Sequence, residues 1–275
     1  MKKVSFNLKD TSFAHDRSTV AGKVSKYIIW DRSCADYQGV TFYTNEQIYN
    51  CNTPRERSYG ILYESKALIP KVFKKAMKVM DRFHHIFTYD PDLLNLNPLV
   101  FKFIPAGGIW IGGEYGGGTL GIKTKNKLVS MTSSGKKSCR LHRFRYKLYK
   151  KLSKKKLPVD LFGLEKWVQI SRTLEDYMFS IVIENNSIDN YFTEKLLNCF
   201  AVGTVPIYLG CRNIGKFFNR DGIIEVSRKT NFKKLVHKLN SKEYFDRIEA
   251  IRENFLLCKH YEIIEDYIFE NYFIR

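Results

Sequence analysis

The stretch of residues 177–210 constrains the fold most, because it reads as a strand, a helix and a second strand in close succession. Residues 179–183 form an apolar, β-branched run, which is typical of a strand buried on both faces. Residues 205–209 form a second such run, and Gly203 is placed to end the helix between them. The apolar residues at helical spacing are Leu196, Leu197, Phe200 and Ala201. This βαβ pattern predicts an α/β fold with a parallel sheet, whose ligands bind where the first strand ends and the helix begins.

The predicted start of this helix carries two opposite charges. Asn190 or Thr193 is suitable as the N-cap, which places Glu194 and Lys195 in the first helical turn. Free backbone N–H groups and the helix dipole favour an anion such as a diphosphate at this point, and Lys195 would add a full positive charge. Glu194 could accept hydrogen bonds from the hydroxyls of a ribose or a sugar. The alternative is that Glu194 only complements the dipole and that Lys195 is a solvated surface residue.

Four groups of residues in this stretch resemble the donor-binding signature of the fucosyltransferases of glycosyltransferase family 10. They are Tyr177-x-Phe179, Glu184-Asn185, Tyr191-x-Thr193-Glu194-Lys195 and Val205-Pro206-Ile207-x-x-Gly210. The groups follow the order of the family without large gaps. The chain departs from the family pattern at Phe192, where valine is usual, and at Asn186-Ser187, where serine alone is common.

A basic segment upstream carries a second resemblance to this family. Residues 136–156 contain eleven Lys and Arg and no acidic residue, and their apolar positions predict a helix with one buried face. As a charge run, most of this segment is expected to be a solvated surface. Arg145 is the exception, because residues 145–152 and 159–163 resemble a family segment in which an arginine grips the donor diphosphate. A planar guanidinium suits that contact better than an ammonium group does.

The resemblance implies the GT-B fold, an α/β architecture in which two Rossmann-like domains face each other across a cleft. We expect an N-terminal, acceptor-side domain at residues 1–124 and a C-terminal domain that binds the nucleotide sugar at residues 125–275. The last helix, at residues 255–274, is expected to pack back on the first domain, by analogy with other two-domain transferases.

The activity that the resemblance implies is the transfer of fucose from GDP-fucose to a hydroxyl of a glycan acceptor, with inversion and an α-linkage. The implied donor-binding residues are Arg145, Glu184, Asn185, Tyr191, Thr193, Glu194 and Lys195. Arg145 and Lys195 are also expected to act in catalysis, by stabilising the charge that builds on the leaving diphosphate. No metal ligand and no obligatory cofactor are predicted, although a divalent cation could stimulate the reaction. The same fold acting on another nucleotide sugar is an alternative, because such motifs fix the diphosphate better than the hexose.

The general base of this reaction is predicted at Glu64. Residues 61–63 read as an apolar strand that runs into this carboxylate, and they resemble the family segment that brings a glutamate near the acceptor. An ordinary acidic residue at the end of a strand would look the same. Asp90 and Asp92 are therefore rival candidates.

The net charge limits the partners of the chain. Its 275 residues include 46 basic and 28 acidic ones, which gives a formal net charge of +18. Such an excess favours polyanions or anionic surfaces, so an RNA- or polyanion-binding module built on residues 136–156 is the alternative from another class of protein. No nucleic-acid motif supports it, and no specific nucleic acid is expected. The same segment could hold the enzyme near an anionic membrane that carries a lipid-linked acceptor.

Two further features bear on location. No run of 18 uncharged apolar residues is present, and no apolar segment follows Met1-Lys2-Lys3, so neither a membrane span nor a signal peptide is expected. The six cysteines are scattered without a C-x-x-C pair, which favours reduced thiols. We therefore expect a cytoplasmic protein, peripheral to a membrane at most.

A glycine-rich segment has no clear assignment. Residues 107–118 contain seven glycines, but not in the order of a dinucleotide-binding fingerprint. A flexible loop or hinge is the simpler interpretation. Trp110 and Tyr115 leave open a loop that binds the acceptor, because aromatic faces suit sugar rings.

Overall fold

The first half of the chain forms a six-stranded parallel sheet. The computed structural model describes residues 2–10, 17–36, 38–164 and 166–274. Strands and helices of this half are β1 (Val4–Lys9), β2 (Ile28–Asp31), β3 (Thr41–Thr44), β4 (Ser58–Leu62), α1 (Pro70–Val79), β5 (His85–Thr88), α2 (Pro91–Leu96) and β6 (Phe101–Phe103). The strand order is β2-β1-β3-β4-β5-β6, and every pair is parallel. Strand β4 begins at Ser58, before the predicted residues 61–63. The sequence pattern did not indicate this earlier start, because Ser58 and Gly60 interrupt the apolar run.

A second parallel sheet follows, with five strands in the order β11-β10-β9-β7-β8. Its elements are β7 (Lys127–Ser133), α3 (Arg140–Lys154), β8 (Asp160–Gly163), α4 (Ser171–Leu174), β9 (Tyr177–Ile183), α5 (Glu194–Ala201), β10 (Val205–Leu209), β11 (Ile224–Glu225), α6 (Phe232–Lys238), α7 (Ser241–Phe245), α8 (Ile248–Cys258) and α9 (Ile264–Tyr272). The predicted βαβ unit is β9, α5 and β10. The predicted boundary at residues 124 and 125 lies in the connection between β6 and β7.

Each sheet is covered on both faces, as alternation along the strands requires. In β9, the side chains of Phe179 and Ile181 pack on the face covered by α3, α6 and α8. The side chain of Val182 packs on the opposite face, against α5. In the first sheet, α1 covers one face and α9 covers the other. No helix in the described part of the chain is both long and apolar enough to cross a membrane.

The prediction of a single helix at residues 255–274 is wrong, because the structure has two helices in this region. Helix α8 ends at Cys258, and α9 begins at Ile264 after a short 3₁₀ turn. The carbonyl of Glu262 accepts a hydrogen bond from the N–H of Ile109, at 2.9 Å, and Ile263 is extended. A contact with a distant segment thus interrupts a helical sequence pattern.

Helix α9 is held on the first sheet by both apolar and polar contacts. Ile264 and Ile268 are fully buried in the same cluster as strands β1 to β5. The Glu265 carboxylate accepts hydrogen bonds from the N–H and hydroxyl of Thr19, at 2.6 and 2.7 Å, and from Trp30 Nε1, at 3.0 Å. Burial raises the pKa of this carboxyl. The end of the chain therefore joins its two halves.

The glycine-rich segment is a packed connection rather than a flexible loop. A Cβ atom on Gly107 would lie 2.5 Å from the backbone nitrogen of Glu194, and one on Gly108 would lie 2.6 Å from the carbonyl oxygen of Glu262. Both distances are too short for any side chain. Glycine is required here because the backbone passes directly against the start of α5 and the turn before α9.

Candidate active site

A cavity of about 430 Å³ lies where the carboxyl ends of β4, β7 and β9 meet. It draws on both sheets: Glu64 follows β4, while Ser134 and Asn185 follow β7 and β9. The predicted site residues that line it are Glu64, Arg145, Asn185, Tyr191, Thr193, Glu194 and Lys195. Ligands of parallel α/β sheets bind at this edge. The structure therefore brings together residues that are more than 100 positions apart.

The start of α5 is fixed by a network around Thr193. Its hydroxyl accepts from the N–H of Lys195, at 3.3 Å, which makes Thr193 rather than Asn190 the N-cap. The same hydroxyl and the Thr193 N–H donate to the Glu184 carboxylate, at 2.7 and 2.9 Å. Glu184 has no exposed surface and does not line the cavity. The structure thus places Glu184 behind the predicted donor site, where it holds the helix start.

Lys195 lies between two carboxylates. Its Nζ is 2.8 Å from Glu194 Oε1 and 3.6 Å from Glu184 Oε2. Burial acts to lower the pKa of Lys195, but the charges of Glu194 and Glu184 outweigh it and raise that pKa. Burial likewise acts to raise the pKa of Glu194, and the nearby ammonium outweighs it and lowers that pKa. A charged lysine and a charged Glu194 therefore face the cavity together.

Arg145 is a buried cation on the inner face of α3, with 6% of its surface exposed. Its Nη1 donates to the carbonyl of Ile183 at 2.7 Å and to Asn185 Oδ1 at 3.5 Å. Burial lowers the pKa of this guanidinium. No ion pair of Arg145 is found among the residues that the structure describes. The carboxylates of Glu184 and Glu194 act to raise the pKa of Arg145 but do not outweigh burial, so an anion bound in the cavity would further stabilise this buried charge.

The structure adds cavity residues that the sequence reading missed. His142 lies one helical turn before Arg145, and its Nε2 is 2.7 Å from Asn185 Oδ1. Burial and the charge of Arg145 lower the pKa of His142. Ser134 and Lys136 also line the cavity. The sequence could have indicated Ser134 and Lys136, because the polar and basic run at residues 133–137 begins at the carboxyl end of β7.

Tyr191 connects the predicted donor loop with the first sheet. Its ring is 1% exposed and lies 4.7 Å from the ring of Tyr89, measured between centroids. The Tyr89 hydroxyl donates to the carbonyl of Glu64 at 2.8 Å. Tyr191 and Tyr89 therefore link the loop before α5 to Glu64, just beyond the end of β4.

Glu64 is exposed and faces the cavity at the end of β4. Its Oε1 accepts the N–H of Ser65 at 2.6 Å, and Asn45 Oδ1 accepts the N–H of Glu64 at 3.3 Å. These contacts fix the backbone and orient the carboxylate. A carboxylate at this place can reach a ligand that enters from the side of the first sheet.

The rival carboxylates lie outside the cavity. Asp90 is fully buried, caps α2 by accepting the N–H of Leu93 at 3.1 Å, and pairs with Lys66 at 2.8 Å. Asp92 is exposed and pairs with the same lysine at 2.8 Å. The two aspartates have the spacing of a D-x-D metal motif, but a lysine ammonium sits between them. In the described part of the chain, no group of three or more metal-ligating side chains is assembled.

A family comparison matches the second half of the chain. Residues 122–271 match the model described as "Glycosyltransferase family 10 (fucosyltransferase) C-term". An alpha-(1,4)-fucosyltransferase of Arabidopsis thaliana is 34% identical over 64 residues, which cover 23% of this chain and 16% of that protein. An alpha-(1,3)-fucosyltransferase of Helicobacter pylori is 34% identical over 59 residues, which cover 22% of this chain and 12% of that protein. The matches thus span a small part of each relative.

Solved structures extend the likeness to both halves. An α1,3-fucosyltransferase superposes with a TM-score of 0.52 and 15% identity, over 86% of this chain and 82% of that one. A structure of an α1,3-fucosyltransferase with GDP-fucose gives a TM-score of 0.50 and 17% identity, over 81% of this chain and 72% of that one. At these identities the likeness concerns the fold alone. The predicted GT-B fold, with two parallel α/β sheets, is confirmed.

Proposed function

Because this chain belongs to glycosyltransferase family 10, we propose that it transfers fucose from GDP-fucose to a hydroxyl of a glycan acceptor. The observation that carries the proposal is the buried Arg145 beside Lys195 and the start of α5, in a cavity between two sheets. Arg145, Lys195 and the helix start present positive charge to a space of about 430 Å³, and the Glu194 carboxylate beside Lys195 is available to hydroxyls of the ribose or the sugar. That arrangement suits a nucleoside diphosphate. We also propose that residues 1–124 form the acceptor-side domain and that residues 125–275 form the domain that binds the nucleotide sugar.

In the proposed mechanism, Glu64 accepts the proton of the acceptor hydroxyl. The hydroxyl oxygen attacks the anomeric carbon from the face opposite the diphosphate, so that the configuration inverts and an α-linkage forms. Arg145 and Lys195 stabilise the charge that builds on the departing GDP, and such preorganised charges often supply the largest share of rate enhancement. In this mechanism a divalent cation can stimulate the reaction but is not required for it.

The donor assignment predicts a selective thermal shift. GDP at about 100 times its dissociation constant should stabilise the native state by about 2.7 kcal/mol. For a chain of this size, that raises the melting temperature by several degrees. The measurement is a melting curve with GDP, UDP and CDP at equal concentrations. Stabilisation by UDP but not by GDP would contradict the assignment and favour the alternative of another nucleotide sugar on the same fold.

A basic surface supports a second partner, an anionic membrane. The outer face of α3 carries Arg140, Arg143, Lys147, Lys150 and Lys154, all exposed. Helix α6 lies alongside, since Phe144 and Phe232 pack with their ring centroids 6.4 Å apart, and its lysines are exposed too. Residues 136–156 and 226–240 contain no acidic residue. We propose that this surface, which we call the α3–α6 face, lies on anionic lipid headgroups.

Reversing three charges of the α3–α6 face should abolish that contact. A juxtamembrane Lys contributes about 1 kcal/mol to binding of an anionic surface, so the triple variant K147E/K150E/K154E should lose about 10²-fold or more in affinity. The measurement is cosedimentation with phosphatidylcholine vesicles that contain phosphatidylserine. K71E/K74E/K78E on α1 is the matched control, because those lysines are exposed on the other half. Equal binding of both variants, or binding of a single-stranded RNA without binding of vesicles, would contradict the membrane proposal.

A further inference from the structure

Three aromatic residues form a row that leads outward from the cavity. Trp110 lines the cavity and is partly exposed, Tyr115 is 36% exposed, and Trp167 is 69% exposed. The ring centroids of Trp110 and Tyr115 are 6.1 Å apart, and those of Tyr115 and Trp167 are 6.5 Å apart. We call these three residues the aromatic ledge. A single exposed aromatic residue is ordinary, whereas a contiguous group of them beside a cavity marks a surface that binds a ligand.

The inner end of the aromatic ledge is attached to the predicted donor helix. Asn198 Oδ1 accepts the backbone N–H groups of Trp110 and Ile111, at 2.8 and 3.2 Å. Asn198 is buried on α5, one turn after Glu194 and Lys195. The position of Trp110 is therefore fixed relative to the charges that are proposed to hold the diphosphate.

The outer end is fixed by backbone hydrogen bonds between two distant segments. The N–H of Ile170 donates to the carbonyl of Tyr115 at 3.3 Å, and the N–H of Ser171 donates to the carbonyl of Gly116 at 2.8 Å. A Cβ on Gly116 would lie 1.7 Å from the carbonyl oxygen of Trp110, so only glycine fits there. These contacts bring Trp167 beside Tyr115. The backbone that carries the aromatic ledge is thus positioned by the fold, which reduces the ordering that ligand binding requires.

We propose that the aromatic ledge binds the acceptor glycan, through contacts of pyranose rings with the differently inclined rings of Trp110, Tyr115 and Trp167. The planes of Trp110 and Tyr115 are inclined by 55° and those of Tyr115 and Trp167 by 77°, so each aromatic ring presents its face in a different direction and successive sugar rings must turn along with them. Aromatic faces offer apolar area to the C–H groups of a pyranose, while its hydroxyls stay in water. The ligand class is therefore an oligosaccharide of at least two or three rings, with its reacting end at the cavity. This inference rests on the proposed function for the direction in which the glycan lies.

The test measures glycan binding apart from donor binding. The parental protein, with GDP present, is applied to an array of oligosaccharides of one to six pyranose rings. Retention should rise with length up to about three rings and then level off. Trp167→Ala should weaken retention of the longer glycans by about 10-fold, the usual effect of truncating a tryptophan in a binding site. Trp167→Phe should recover most of it, because an aromatic face remains.

Phe245→Ala is the matched control, since Phe245 is 58% exposed but lies on α7 and is not part of the aromatic ledge. The retention of glycans by this variant should equal the parental value. Parental retention by Trp167→Ala, or no retention of any oligosaccharide by the parental protein, would overturn the inference. A melting curve with GDP separates the two proposals. If GDP does not raise the melting temperature of the parental protein, the donor assignment is contradicted. The retention of glycans on the array is measured separately and tests the aromatic ledge alone.

Discussion

Glu64→Gln is expected to slow transfer to the acceptor by about 10²–10⁴-fold, the usual contribution of a positioned general base. Glutamine keeps the size of the side chain and an oxygen that can accept the N–H of Ser65, which holds the carboxylate at 2.6 Å. It cannot accept a proton at neutral pH. The variant should therefore transfer sugar slowly throughout the neutral pH range. The measurement is the initial rate of transfer as a function of pH.

Donor binding should survive this substitution, because the diphosphate is proposed to lie against Arg145 and Lys195. A melting curve with GDP checks that point. Asp92→Asn is the control, since Asp92 is an exposed acid on the same half that does not line the cavity. A parental rate for Glu64→Gln together with a large loss for Asp92→Asn would reverse the assignment of the base.

Arg145→Ala is expected to weaken binding of GDP by about 10–100-fold, since a charge-assisted hydrogen bond contributes about 1.5–3 kcal/mol. Turnover should fall further, by about 10²–10³-fold, because charge on the diphosphate grows in the transition state. Arg145→Lys should recover only part of both losses, because an ammonium lacks the planar fork. The measurements are calorimetric titration with GDP and the rate of transfer at saturating donor.

Arg143→Ala supplies the matched control, because Arg143 lies on the same helix but faces solvent. Its affinity for GDP should equal that of the parental protein. Lys195 is a less clean target: its removal would leave the buried Glu184 without the ammonium at 3.6 Å and would destabilise the fold as well. Parental affinity for GDP in a folded Arg145→Ala protein would show that the diphosphate does not lie against this guanidinium.

Local sequence pattern was sufficient for the β9-α5-β10 unit of the second sheet and for the start of α5. Strand β10 lies where residues 205–209 predicted it, and Gly203 ends the preceding helix with φ of +73°. Thr193 is the N-cap, one of the two predicted alternatives. Such features depend on residues a few positions apart, so the period of apolar side chains and the chemistry of the cap indicate them directly.

The placement of the candidate site residues depended on long-range contacts. Seven of the eight predicted residues line one cavity, while Glu184 lies behind it and binds Thr193. The strand-end positions of Glu64 and Asn185 could be read from the sequence. The sequence near Glu184 does not indicate that its carboxylate accepts hydrogen bonds within the protein, because the donor, Thr193, lies at the far end of the following loop.

Local sequence pattern is enough to establish that parallel α/β units form and that charged side chains gather at one helix start. Long-range contacts decide where the predicted C-terminal helix is interrupted and which carboxylate at the strand ends of the first sheet faces the cavity. They also bring Trp110, Tyr115 and Trp167 next to one another in that order. Each of these depends on a contact between distant segments, such as the bond from Ile109 to Glu262 or from Ile170 to Tyr115. A periodic pattern records which face of an element is buried, but not which other element covers it.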